Sequence, residues 1–128
     1  MKNSAKLHDD FLGNLLDSLK NPILVADTDH VIFYLNKAAE GFYSGGRALI
    51  GRSLLECHNE QSQQQMKEIL QRMQAGLDEE LITDNKKWRI YMRAVRLPDG
   101  ELIGYYERYE PPRGCSLIAM RPMLFREV

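Results

Sequence analysis

The chain has little that would mark a secreted, membrane-bound or metal-dependent protein. It holds two cysteines in 128 residues, Cys57 and Cys115, far apart and outside any CxxC pair. Two such residues permit one disulfide, but free thiols in a reducing compartment are the expectation. No apolar run approaches the roughly 20 residues that span a bilayer. The opening MKNSAKLHDDF has no continuous apolar stretch of the kind that directs export. A cytoplasmic location is therefore expected, with no membrane partner. Excess charge of either sign is also missing: 17 basic residues face 18 acidic ones, for a net charge of −1. Nucleic-acid binding needs a basic surface to neutralise phosphates, so no nucleic-acid partner is expected. The three histidines, His8, His30 and His58, offer no ligand spacing. Ser53, Cys57 and His58 form no recognisable catalytic spacing, so the chain is not expected to be an enzyme.

What is present suits one domain. Hydrophobic residues make up 44% of the chain, enough for a single core. Leu7, Phe11, Leu12, Leu15, Leu16 and Leu19 recur at three- and four-residue spacing, which predicts an amphipathic helix over 7–20. Asp9 and Asp10 are expected near its start, where the helix dipole favours them. Asn21-Pro22 stops it. Residues 22–27 and 31–35 are rich in β-branched and aromatic residues and predict two strands. Asp27-Thr28-Asp29-His30 makes the reversal between them. Asn36 suits the N-cap of a helix over 37–43, and Gly51 suits a bend within a short helix or turn over 47–56.

Residues 60–75 give the clearest helix. Met66, Ile69, Leu70 and Met73 share one face, Asn59 can cap it and Gly76 can end it. Three strands are expected to follow, at 79–84, 87–96 and 101–109. In the second, Trp88, Ile90, Met92 and Ala94 alternate with Arg89, Tyr91, Arg93 and Val95. Pro98-Asp99-Gly100 is the hairpin signal between the last two. Arg89, Arg93 and Arg96 form a basic stripe. Pairing with Glu79, Glu80, Glu101 and Glu107 on neighbouring strands is one account of it, and docking of an acidic partner the other.

The order of these elements, and the run LKNPILVADTDHVIFYLNKAAEGFYSGGRALIGRSLLECH over 19–58, resemble a PAS sensor domain. Within that family, Cys57-His58 followed by Ser62 resembles a subgroup found beside hemerythrin-type or signalling domains. The last strand carries Glu107-Arg108-Tyr109-Glu110 where such domains often end in an Asp-Ile-Thr-like run. The resemblance implies an α/β domain of the α+β type. Its five-stranded antiparallel sheet would have the order 2-1-5-4-3, with helices over one face and residues 1–20 as a flanking helix. The core would span 21–112 and a C-terminal extension 113–128.

The resemblance also implies a non-catalytic role in sensing and signal transduction. A small ligand would bind between sheet and helix, or a signal would pass through dimer contacts. Candidate cavity residues are Met66, Ile69, Met73, Trp88, Ile90 and Met92, with Tyr34, Cys57 and His58 as polar members. The same side chains can instead fill the core solid, leaving a ligand-free interaction or dimerisation module. Haem is a further alternative that would use a methionine of the long helix, Met66 or Met73, as axial ligand. The Asn-Cys-Arg-Phe-Leu-Gln pattern of photoactive flavin sites is missing, which leaves flavin bound without that chemistry. Cys57 is the candidate redox thiol if the helix N-terminus lowers its pKa. Homodimerisation through residues 7–20 is expected, and other signalling proteins are possible partners.

Overall fold

A computed structural model describes residues 2–113, with side chains from His8 onward. The elements run α1 (Lys2–Ser18), β1 (Ile23–Asp27), β2 (Ile32–Leu35), α2 (Glu60–Gln74), β3 (Glu79–Asp84), β4 (Arg89–Arg96) and β5 (Leu102–Glu110). Three 3-10 turns, Lys37–Gly41, Gly46–Leu49 and Leu54–Cys57, lie between β2 and α2. The strands form one sheet in the order β2-β1-β5-β4-β3, every neighbour antiparallel. That is the architecture and strand order expected above. Of the extension expected at 113–128, residues 114–128, including Cys115, lie outside the described residues.

Local chemistry sets the joints. Asp27 Oδ1 accepts from the amides of Asp29 (2.8 Å) and Val31 (3.0 Å), which folds the chain back between β1 and β2. Asn59 caps α2 by accepting from Ser62 N at 2.8 Å. Gly76, at φ 119°, closes the other end: Leu77 N reaches Arg72 O (2.9 Å) and Gly76 N reaches Met73 O (3.1 Å). That is a Schellman ending. The β4–β5 hairpin closes through Gly100 N to Leu97 O at 2.8 Å, with Asp99 Oδ1 accepting from Glu101 N.

The core lies between α2 and one face of the sheet. Met66, Ile69, Leu70 and Met73 of α2 bury against Leu24, Ala26, Ile32, Leu35, Met92 and Tyr105. Gly104 sits where β5 crosses β1 closely: a Cβ there would lie 2.4 Å from Ala26 O. Only glycine permits that approach.

Several expectations shift in detail. The helix expected at 37–43 is a 3-10 turn, Lys37–Gly41, and the short helix or turn expected over 47–56 is two 3-10 turns with Gly51 at positive φ between them. Helix α1 starts at Lys2, so Asp9 and Asp10 lie mid-helix, beyond the reach of the dipole at its end. Trp88 falls just before β4, because Asn85 Oδ1 accepts from Lys87 N and Trp88 N and forms a turn there. The arginines pair across the sheet as Arg93–Glu79 (3.4 Å), Arg89–Glu110 (3.4 Å) and Arg96–Asp78 (3.2 Å). Glu79 also holds Arg108 at 2.6 Å, and these contacts keep the Glu79 carboxyl below its ordinary pKa, the Arg108 hydrogen bond first. Glu80 pairs with Arg72 of α2. Glu107, expected among these partners, is buried on the opposite face.

The outer flank carries α1. Its C-terminal half is fastened to β2 and the first 3-10 turn. Asn36 Nδ2 donates to Leu16 O (2.9 Å) and Asn21 O (3.1 Å), while its Oδ1 accepts from Ile23 N and Ala39 N, both at 3.0 Å. Asp17 accepts from Tyr34 OH (2.8 Å), Lys37 N (3.1 Å) and Arg47 (2.6 Å). The apolar stripe faces elsewhere: Phe11 is 66% exposed, and Leu12, Leu15 and Leu19 are exposed as well.

Candidate functional site

On β5 the inward positions are Tyr105, Glu107 and Tyr109, a carboxylate between two tyrosines at the period of a strand. Glu107 stands opposite Leu24 of β1 and Met92 of β4, in the middle of the sheet, and is 3% exposed. Its Oε1 accepts from Tyr43 OH at 3.0 Å, and Tyr43 in turn accepts from Tyr109 OH at 2.9 Å. Its Oε2 is buried and has no partner among the described residues. Burial pushes the Glu107 carboxyl above its ordinary pKa, because an unpaired charge is costly away from water. Burial raises the hydroxyls of Tyr43, Tyr105 and Tyr109 in the same direction.

Glu107 lines a cavity of about 120 Å³ between α2, β3 and β5. Met66, Ile69 and Ile82 supply apolar wall, and His58, Ser62, Gln65 and Thr83 supply polar groups. His58 is held by the turn before α2: its Nδ1 lies 3.0 Å from Leu54 O. Gln63 fixes that turn by donating to Leu55 O (2.8 Å) and His58 O (2.9 Å). His58 thus contacts the turn behind it and not the start of α2.

Three of the nine candidates, His58, Met66 and Ile69, meet at this cavity. Met73 and Met92 are wholly buried in the core. Trp88 is half-buried and packs edge-on against Phe42 and Tyr109, each at 5.5 Å between ring centres. Ile90 is half-buried opposite Tyr109. Tyr34 lies apart from the cavity, bonded to Gly13 O and Asp17 of α1 with Arg47 over its ring. Cys57, a candidate for the same cavity, is exposed and borders a different depression with Phe42, Tyr43, Leu49, Arg52 and Glu56. Its thiol is pushed up by partial burial and then by Glu56, opposite to the lowering expected of a redox thiol.

Glu107, Tyr43 and Tyr109 were not among the candidates. The signal available was the spacing Tyr105-x-Glu107-x-Tyr109, which puts the carboxyl on the face of two large aromatics. A second buried polar pair is His30 with Tyr105, Nδ1 to hydroxyl at 2.7 Å. Burial holds the His30 pKa below its ordinary value.

Pockets for drug-sized ligands run to roughly 300–1,000 Å³. A cavity of about 120 Å³ takes neither haem nor flavin with the side chains where they stand. Among the described residues no group of three or more His, Cys, Asp or Glu side chains could hold a metal ion. Among those residues, too, no helix is long and apolar enough to cross a membrane.

A family model described as the PAS fold matches residues 16–112. Among solved structures, the PAS domain of BvgS from Bordetella pertussis is similar at 19% identity and TM-score 0.61, covering 94% of this chain and 98% of that one. A C-terminal domain from Streptococcus mutans is similar at 19% identity and TM-score 0.67, covering 88% and 85%. A sensory box sensor histidine kinase from Vibrio cholerae is similar at 18% identity and TM-score 0.58, covering 86% and 96%. At these identities the likeness is one of fold. No curated protein matches the chain.

Proposed function

The chain belongs to the PAS-fold family, whose members are sensory and signalling domains, and from that premise we propose a non-catalytic sensor that binds a small ligand and relays its presence through a homodimer. The observation that carries this is the cavity at Glu107. A buried carboxyl oxygen without a partner is costly, and a strand that ran solid into the core would be more stable with an apolar residue there. A ligand that supplies the missing hydrogen bond accounts for keeping it. The cytoplasmic placement expected from the sequence goes with this role.

The relay runs through α1. Its apolar stripe of Phe11, Leu12, Leu15 and Leu19 is exposed, and Phe33 and Ile103 are exposed on the outer side of the sheet. Two copies joined through this helix would make an isologous contact about a two-fold axis. The clasp of Asn36 and Asp17 connects that contact to β1 and β2.

One observation favours a second role, as a ligand-free interaction module: Met73, Met92 and Tyr105 are packed with no exposure at all. Native mass spectrometry of the purified protein separates the two. An added mass of a small molecule supports the sensor, and a bare mass favours the interaction module. A Soret band in the absorption spectrum would instead bring haem forward. For the dimer, light scattering of wild type and of Phe11→Asp/Leu15→Asp is compared at matched concentration. A dimeric wild type and a folded monomeric variant are expected, since the contact would have to bury two charges. A wild type that stays monomeric at high concentration removes the dimer.

A further inference from the structure

We propose that the Glu107 cavity is selective for a small organic ammonium ion, whose N–H groups meet Glu107 Oε2 while a short hydrocarbon body lies on Met66, Ile69 and Ile82. This rests on the ligand-binding role above and names the chemical class of the ligand.

Hydrogen-bond bookkeeping at the carboxyl leads to a donor. Tyr109 donates to Tyr43, and Tyr43 donates to Glu107 Oε1, so both hydroxyl protons are committed. Once Glu107 is ionised, Oε2 is a buried acceptor with no donor among the described residues to turn to it. His58 adds a second polar group to the same cavity. Leu54 O can only accept, so the His58 Nδ1 at 3.0 Å carries the proton. Nε2 is the ring nitrogen left free of that contact. A ligand that brings N–H donors completes the ionised carboxyl, which an acceptor-only ligand cannot do.

Charge narrows the class further. No lysine or arginine lines the cavity. An anionic ligand would find no lysine or arginine there and would oppose the ionisation of Glu107. A cation does the reverse: it lets Glu107 ionise in place, and a charge-assisted hydrogen bond is about twice as strong as a neutral one. Size sets the upper limit. The cavity holds about four water molecules' worth of liquid, which suits an amine of about four carbons.

The test is an NMR titration of the labelled full chain with isobutylammonium, isobutanol and isobutyrate, three probes of one shape and different charge. Isobutylammonium is expected to shift the amides of His58, Met66, Thr83 and Glu107 to saturation. It should also move the Glu107 carboxyl carbon to its ionised position. Isobutanol is expected to bind at least about tenfold more weakly, and isobutyrate not at all. Glu107→Gln is expected to weaken isobutylammonium by about tenfold or more. The carboxyl-carbon shift is read in wild type, so the proposal stays open to refutation even if that variant fails to fold.

Isobutanol or isobutyrate binding as tightly as the ammonium overturns the assignment and leaves the sensor role standing. Failure of all three, with an added mass in native mass spectrometry, does the same. Failure of all three with a bare mass overturns both. An ammonium that binds without moving the Glu107 carbon overturns the assigned contact.

Discussion

Replacing Asn36 by alanine tests how the flanking helix is held. The side chain is wholly buried and all four of its hydrogen-bonding positions are used. The four losses are unequal. Ala39 N keeps a bond to the backbone carbonyl of residue 36 at 2.9 Å, and Leu16 O keeps a contact with Leu19 N at 3.3 Å. Asn21 is exposed, so water can take its carbonyl. Ile23 N, at the start of β1, loses its side-chain acceptor. At about 1 kcal/mol for an ordinary net hydrogen bond, and up to about 3 for a buried orphan, the sum is about 3 kcal/mol. For a domain of this size that lowers the thermal midpoint by about 12 °C.

Circular dichroism in heat and in urea measures the loss, and amide exchange locates it. Protection should fall in the last turns of α1 and at Ile23 while α2 keeps its order of protection. Asn36→Asp keeps the acceptor but sets carboxylate oxygen against Leu16 O and Asn21 O. It should be at least as harmful at neutral pH and partly recover in acid, where the protonated carboxyl regains one donor. An alanine variant within about 1 kcal/mol of wild type would refute the clasp as a stabilising element.

Three further predictions concern the interior. Gly104→Ala should cost about 2–3 kcal/mol, since a Cβ would lie 2.4 Å from the Ala26 carbonyl oxygen; unchanged denaturation would mean that β1 and β5 separate easily there. Trp88→Ala should cost about 2 kcal/mol rather than the 3–5 of a fully buried tryptophan, because the ring is only half-buried against Phe42 and Tyr109; a loss in the upper range would show that it is covered in solution. Folding raises the Glu107 pKa above its ordinary 4.5, so the folded state holds this proton more tightly. The stabilisation it gives is full below about pH 4.5 and is lost as pH rises through the folded value. Urea titrations of wild type and Glu107→Gln across that range should therefore diverge, the variant gaining relative to wild type as pH rises, and parallel curves would contradict the burial.

Most of the fold was legible because period and punctuation agreed. The alternation through 89–96, the apolar stripe of Met66, Ile69, Leu70 and Met73, and the Pro98-Asp99-Gly100 turn each name one structure. Their order left one topology. The site was less legible for reasons that lie in particular residues. Tyr105 and Tyr106 are adjacent, so the aromatic content of β5 does not say which face is inside, and Glu107 reads as easily as a partner for arginine. The register between β1 and β2 slips at Val25 and Ala26, pairing Val25 with Tyr34 and Ala26 with Ile32 and passing over Phe33 of β2. That irregularity buries Ile32 and Leu35 together, three residues apart, exposes Phe33 to 72%, and turns Tyr34 to α1. Simple alternation cannot reveal a bulge. Cys57 ends a 3-10 turn, and whether a residue at such an end is inside depends on the neighbouring turns.

The fastening of α1 has a mechanical corollary. The helix is gripped along Gly13–Asp17 and makes no described side-chain bond to the rest of the domain before that. From Gly13 back to Lys2 it extends about 16 Å at 1.5 Å per residue. It is thus a lever with its fulcrum at one end. A tilt of about 10° at the grip, within what a sliding hydrogen bond allows, swings the far tip by about 3 Å over that arm. Displacements too small to alter the sheet would be amplified along the helix into a change of separation or angle large enough for an attached element to register.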